Sequence, residues 1–266
     1  MPGRKMPDNP GGELISIVIP VYNAARFLER TLTCIERQRF EKWELLLVDD
    51  ASTDDSIKIM KRWISAQEGR KNRILLLQNM RNRGPAYSRN RGLRAAAGRY
   101  LCYLDADDYW TADKLEKQYR FMRQRECAFS FTGYEFADSA GRRKGRVVHV
   151  PERLTYQEAL TNTVISTITV MLDRGQIPEP LLFMPENCGR EDTATWWRIL
   201  RNGYTAFGLD EALSVYCRHR GSHSANKLKA VCGTWQLYRR QEGLPPGRAL
   251  HCMAGYLAGA IRRRLP

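Results

Sequence analysis

Asp105, Asp107 and Asp108 fall within four residues, directly after Arg99 to Leu104, an apolar and aromatic run of the length a buried strand has. Three carboxylates where a hydrophobic strand stops raise one another's pKa and oppose ionisation. A hard divalent cation, Mn²⁺ or Mg²⁺, relieves this: it takes oxygen ligands, keeps waters, and completes its shell with substrate phosphates. The cluster thus reads as a seat for a metal–diphosphate, or as a solvated turn whose acids cap a helix starting near Thr111. Two other acidic pairs stand at element ends, Asp49-Asp50 after a strand and Glu191-Asp192 before a helix.

The elements that must position these groups alternate. Ile15 to Val21 is a β-branched strand, with Pro20 tolerable only where a ladder ends. Ala24 to Gln38 repeats Phe27, Leu28, Leu32 and Ile35 at helical spacing. Glu44 to Val48 is a second strand. Ser52 or Thr53 can cap the helix that follows. Ile74 to Leu77 is a third strand, and Gly84 to Ala97 a third helix, with Gly98 in a C-cap position. The fourth strand delivers the acidic cluster. Strands alternating with helices predict right-handed crossovers and a mostly parallel sheet, which binds ligands at the carboxyl ends of its strands. Neither a Gly-x-Gly-x-x-Gly nor a Walker A sequence is present, which disfavours an ordinary dinucleotide or P-loop site.

The chain of 266 residues carries a formal charge of +14, so its partner or substrate is expected to be acidic. The basic residues are scattered and accompany no zinc-finger, helix-turn-helix or RNA-binding signature, which sets nucleic acid aside. Seven dispersed cysteines without a Cys-x-x-Cys pair point to a reducing compartment and small core residues. Residues 1–12 read as a loose tail rather than a signal peptide.

Four blocks in order carry a family resemblance. They are Ile17 to Asn23; Leu47 to Asp54; Asn82-Arg83-Gly84 with Arg89-Asn90-Arg91-Gly92; and Leu104-Asp105-Ala106-Asp107-Asp108. Together they resemble the family 2 glycosyltransferases. The resemblance implies an α/β chain of GT-A (Rossmann-like) fold: a mixed, mostly parallel sheet flanked by helices, with C-terminal helices. It implies inverting, metal-dependent transfer from a nucleotide-sugar, UDP-linked, to a saccharide or lipid-linked acceptor of a surface polysaccharide. Pro20, Tyr22, Asp49, Asp50, Arg89, Asp105 and Ala106 would line the donor site. Tyr22 offers an aromatic face to a nucleobase. Asp49 or Asp50, the latter preferred, would accept from a uracil-like imide while the other holds the turn. Arg89 is a forked donor for diphosphate or base. Asp105 would meet ribose or metal, and Asp107 would ligate the metal.

In the family a Glu-Asp pair at this position supplies the base, and Asp192 matches its second member. An acceptor hydroxyl must lose its proton as it attacks, and a carboxylate within reach can take it. The plainer reading is a pair of acids at a helix N-terminus. Glu191 and Trp196 are weaker acceptor candidates, Trp196 as a sugar-stacking platform and Trp197 as core. Ile165 to Leu172 reads as a strand and Ala212 to Cys217 as the last one. Cys217 stands where an arginine is usual, with Arg218 next to it. His219 and His223 lie four apart, a spacing that would suit metal or pyrophosphate, but read as surface residues.

The expected organisation is a tail (1–12), a nucleotide-sugar half (13–110), an acceptor and catalytic half (111–217) and a C-terminal loop with helices (218–266). Leu250, Met253, Leu257 and Ile261 make a helical stripe bounded by arginines. It reads either as a docked helix or as a helix lying in a membrane interface. The second reading places the protein in the cytoplasm, peripheral on an anionic membrane surface. The rival to an enzyme is a non-catalytic basic binding module for nucleic acid or anionic lipid on a degenerate transferase fold.

Overall fold

The computed structural model describes residues 13–67, 69, 71–219 and 227–262; the expected tail, His223 and the last four residues lie outside them. Four strands open the chain: β1 (Ile15–Val21), β2 (Trp43–Asp49), β3 (Ile74–Gln78) and β4 (Tyr100–Tyr103). They lie parallel in the order β3-β2-β1-β4. The connecting helices are α1 (Ala25–Glu36), α2 (Ser56–Ser65) and α3 (Pro85–Ala95). Strands covered on both faces need apolar side chains on both, hence the continuous Ile, Val and Leu runs. Ile15, Ile17 and Ile19 enter one core with Leu28 and Leu32 of α1, whereas Val18 enters the other with Leu93 of α3. Pro20 lies beyond the last residue of β1 paired with β4, so its missing N–H breaks no bond on that side.

The second part contributes β5 (Tyr109–Trp110), α4 (Lys114–Arg125), β6 (Phe129–Ala137), β7 (Arg143–Val148), β8 (Arg153–Leu154), α5 (Tyr156–Thr161), β9 (Met171–Asp173), α6 (Glu179–Leu182), α7 (Glu191–Arg201) and β10 (Ala206–Cys217). β9 runs antiparallel between β4 and β6, and β10 runs parallel to β6, so one sheet crosses residue 110 without a break. The C-terminal helices are α8 (Lys227–Gln236) and α9 (Pro246–Arg262), joined by a π-helical turn, Leu237–Gln241. A mixed, mostly parallel sheet flanked by helices is the expected architecture.

Three local expectations are corrected. Ile165 to Leu172 is not one strand: a 3₁₀ turn, Thr167–Thr169, precedes the short β9. A buried β-branched run has no period that separates extended coil from strand. Ser52 and Thr53 do not cap α2. Ser52 Oγ accepts from the Asn23 amide at 3.1 Å and the Thr53 amide donates to Asn23 Oδ1 at 2.8 Å, so both tie the β1 and β2 loops together. Gly98 is not a left-handed cap either. A Cβ there would lie 2.6 Å from Ser16 Oγ and 2.7 Å from Leu14 O, so it is glycine for close approach of the chain.

Candidate active site

The ends of β1, β2 and β4 meet because the strands are parallel and in register, with Val21 opposite Asp49 and Val18 opposite Tyr103. Tyr22, at the end of β1, is 51% exposed, as a stacking role needs. Among the described residues the Asp49 carboxylate accepts from the Ser52 amide, at 3.2 Å, and keeps acceptor capacity. Asp50 is committed elsewhere. Its carboxylate takes Asn79 Nδ2 at 2.6 Å, the Arg83 amide at 3.0 Å and the Gly84 amide at 2.7 Å. Asp50 thereby shapes the turn into α3, where Gly84 stands at φ +85°, a conformation open to glycine. Of the two acids, Asp50 is therefore the one that holds the turn, and Asp49, also buried, has the fewer hydrogen bonds among the described residues.

The three carboxylates of the acidic turn have three different partners. Asp105 Oδ1 pairs with Arg89 Nη2 at 2.6 Å. Asp107 Oδ2 lies 2.7 Å from His219 Nε2. Asp108 is buried and accepts from the Cys217 amide at 2.7 Å, tying the end of β10 to the turn. From below, Thr31 of α1 donates to the Ala106 and Asp108 carbonyls at 2.9 and 2.8 Å, and Arg30 donates to the Asp107 carbonyl at 2.8 Å. Ala106 itself is buried in the apolar core, so its part in the donor site is to shape the turn rather than to offer a contact.

Burial raises the Asp107 pKa, and the charge on Asp105 adds to this, while His219 works the other way. Burial and then the charges of Asp107 and Asp105 push Asp108 well above the ordinary carboxylate value. Asp107 of this turn and His219 beside it are the side chains that could hold a divalent cation. No three His, Cys, Asp or Glu side chains form a ready cage among the described residues. His219, read from the sequence as a surface residue, is instead largely buried and stacked on Phe27 with centroids 4.7 Å apart. Arg218, beside Cys217, lies over the Phe136 ring at 3.7 Å.

Arg89 is not free for a diphosphate, which corrects its expected role. It is buried, with one arm on Asp105 and the other, Nη1, 3.2 Å from Glu191 Oε1. Its neighbour Asn90 donates to the Met184 carbonyl and accepts from the Met184 amide, each at 2.7 Å. These two residues of α3 bracket the segment that leads to α7 and fix the N-terminus of that helix beside the strand ends.

Asp192 sits there. Its Oδ2 accepts from Thr167 Oγ1 at 3.0 Å and its Oδ1 from the Thr193 amide at 2.6 Å. Burial works against its ionisation, but Arg190, the Thr193 amide, Arg89 and Thr167 together hold it below the ordinary aspartate value. Burial and then the charge of Asp192 raise Glu191 instead. Adjacent carboxylates pushed apart in this way separate a ready proton acceptor from its partner. Trp196 is corrected: at 2% exposure it lies in the core between Tyr103 and Phe129, with centroids 6.4 and 5.5 Å away, and cannot stack on a sugar. Trp197 is core as expected, stacked on Tyr238 at 5.1 Å. A second feature lies to one side, a cavity of about 600 Å³ lined by Arg81, Arg83, Tyr87 and Arg91 next to Asn79.

A helix-flanked sheet that gathers an acidic turn at its parallel strand ends, facing a helix-borne aspartate, defines the class: a GT-A glycosyltransferase. The chain belongs to glycosyl transferase family 2, whose model matches residues 16–174. It is 41% identical over 252 residues to a Bacillus subtilis protein named as a teichuronic acid biosynthesis glycosyltransferase, TuaG, covering 95% of this chain and 98% of that one. It is 33% identical over 226 residues to the Escherichia coli UDP-Glc:α-D-GlcNAc-diphosphoundecaprenol β-1,3-glucosyltransferase WfgD, covering 84% and 85%. Its fold is similar to that of a Pyrobaculum calidifontis mannosyltransferase, PcManGT, solved with GDP-Man and Mn²⁺. The TM-score is 0.69 at 21% identity, over 93% of this chain and 75% of that one.

Proposed function

We propose that this glycosyltransferase moves a sugar, with inversion, from a UDP-sugar to a lipid-linked saccharide in the synthesis of a surface polysaccharide, working at the inner face of the membrane. The observation that carries the reading is the position of Asp192, beside the acidic turn where Arg89 bridges Asp105 and Glu191. The names of two relatives supply the substrate classes: teichuronic acid for one, a UDP-sugar and a diphosphoundecaprenol acceptor for the other.

In this reading Tyr22 and Asp49 hold the nucleobase, and Asp107 with His219 hold Mn²⁺ or Mg²⁺. When bound, that ion offsets charge on the departing diphosphate. Asp192 takes the proton from the acceptor hydroxyl as it attacks the anomeric carbon. Its hydrogen bonds to Thr167 and the Thr193 amide fix the carboxylate in place and leave lone pairs for that proton. Arg89 positions rather than binds. A degenerate, non-catalytic module would not be expected to keep both Asp107 and Asp192, and this chain has both.

The test is a panel of UDP-sugars with a diphosphopolyprenyl saccharide acceptor in the presence of Mn²⁺. Transfer from one of them, lost in Asp192→Asn, is the expected result. No transfer from any, together with no binding of UDP, would return the chain to the binding-module reading.

A further inference from the structure

Helix α9 has two faces of different character. Ala249, Cys252, Met253 and Tyr256 are buried in the larger core, and Gly255 lets the helix lie against α5, where a Cβ would stand 2.8 Å from Thr161 Cβ. On the other side Leu250, Leu257 and Ile261 are 61%, 40% and 58% exposed. Exposed Ala254 and Ala258 fill the gaps between them, giving a continuous apolar stripe. Three of the six large apolar side chains exposed among the described residues therefore lie on one helix. A scattered apolar residue needs no explanation, but a stripe of them does.

The charge of the C-terminal segment, read from its sequence, says what covers the stripe. Residues 218–266 contain ten lysines and arginines and a single acid, Glu242. That acid is already used, accepting from Tyr156 Oη at 2.5 Å and pairing with Arg201 at 3.1 Å. Arg248 stands near the start of α9, and Arg262, Arg263 and Arg264 end the stripe in sequence. A second copy of the chain laid on this face would bring two cationic segments together. An anionic bilayer meets both demands, apolar contact and negative charge. At 17 residues α9 is too short to span a bilayer, and no described helix is long and apolar enough to cross one.

We propose that the outer face of α9 is a membrane-docking surface, with Leu250, Leu257 and Ile261 set into the headgroup region of an anionic bilayer. The proposal rests on the membrane-side reading above for its purpose. α9 packs on α5, and α5 on α7, where Trp197 Nε1 donates to the Ala159 carbonyl at 3.1 Å. The docking face is thus rigidly joined to the helix that carries Asp192, which would hold the base near an acceptor anchored at the same surface.

The experiment is flotation of the full chain with vesicles of phosphatidylcholine alone and of phosphatidylcholine with phosphatidylglycerol, at low and high salt. Calorimetry with UDP and Mn²⁺ and a thermal melt are run on the same preparations. The comparison is with the variant carrying Leu250→Ser, Leu257→Ser and Ile261→Ser, whose changes touch only the exposed face. Expected are flotation with the anionic vesicles that weakens with salt, and a loss of at least ~10-fold in the serine variant at unchanged UDP affinity. Equal flotation of both proteins, or none by the parent, overturns the proposal. A parent dimer that the serine variant dissolves, without flotation, assigns the face to a second copy and overturns it too. If UDP binding fails in both while the anionic-vesicle difference stands, the transferase reading falls and the docking surface remains.

Discussion

His219 Nε2 lies 2.7 Å from Asp107 Oδ2, although the two residues are 112 positions apart. The contact joins the segment after β10 to the turn after β4 and completes the side of the cleft where a cation fits. We expect Asp107→Asn to abolish metal-dependent UDP binding. His219→Ala should weaken it by ~10–100-fold, the range seen when a support at a metal site is removed. Calorimetry with UDP, with and without Mn²⁺, checks both: in the absence of metal the three proteins should bind UDP alike. If His219→Ala binds UDP–Mn²⁺ as the parent does, the histidine is a packing residue on Phe27 and nothing more.

Arg89 is a brace between the two halves of the cleft, and its removal should be felt as instability. Arg89→Met keeps the bulk but leaves Asp105 and Glu191 facing each other without the cation. Breaking a buried pair from one side costs about 3–5 kcal/mol. The urea midpoint should fall accordingly, and Arg89→Lys, which keeps charge without the fork, should fall less. An unchanged midpoint in Arg89→Met would mean that Asp105 and Glu191 find other partners.

Ala51 occupies φ +60°, between the carboxylates of Asp49-Asp50 and the Ser52 that ties the loops together. A left-handed conformation costs a residue with a Cβ about 1–2 kcal/mol, and glycine about nothing. Glycine loses roughly 0.5–1 kcal/mol more to unfolded-state entropy. Ala51→Gly should therefore be neutral or stabilise by up to ~1.5 kcal/mol, while the β-branched Ala51→Val should destabilise. Chemical denaturation of the two variants measures the difference, and a Val variant as stable as the Gly variant would show that the loop relaxes out of the strained region.

Much of the cleft at the strand ends was legible because each parallel strand is a β-branched or leucine run that ends in polar residues, and parallel strands bring such ends together. Ile17 to Asn23, Leu47 to Asp54 and Leu104 to Asp108 announce themselves in this way. The pairings inside the site were not legible, since they join residues far apart in the chain. Arg89 reads as a helix-surface donor until Glu191, 102 residues on, is folded against it. Asp50 and Asp49 are equivalent in sequence and differ only in how the loop 79–84 turns back. Trp196 and Trp197 are both buried because α7 is covered on two sides, by β6 and by the π-helical turn that carries Tyr238. Residue type alone offered no means of seeing the second cover.

Asp192 and its neighbour Glu191 make opposite predictions for acid, and this decides which is the base. The folded pKa of Asp192 is below the unfolded value of ~3.9, so its ionised form is complete at neutral pH. Its contribution to stability is present above that unfolded value and is lost as pH falls through the lower, folded one. If Asp192 takes the acceptor's proton, kcat should stay level from neutrality downward and fall only below ~4. Glu191 is raised, so a base at that position would give an acid limb above the ordinary glutamate value of ~4.3. Asp192→Asn should lower kcat by at least ~100-fold with donor affinity kept, whereas Glu191→Gln should leave the position of the limb unchanged. The kcat profile of the parent and both variants, from below the aspartate value of ~3.9 up to neutrality, is the measurement. A limb above ~4.3 that disappears in Glu191→Gln would transfer the base to Glu191 and leave Asp192 as an acid at the N-terminus of α7.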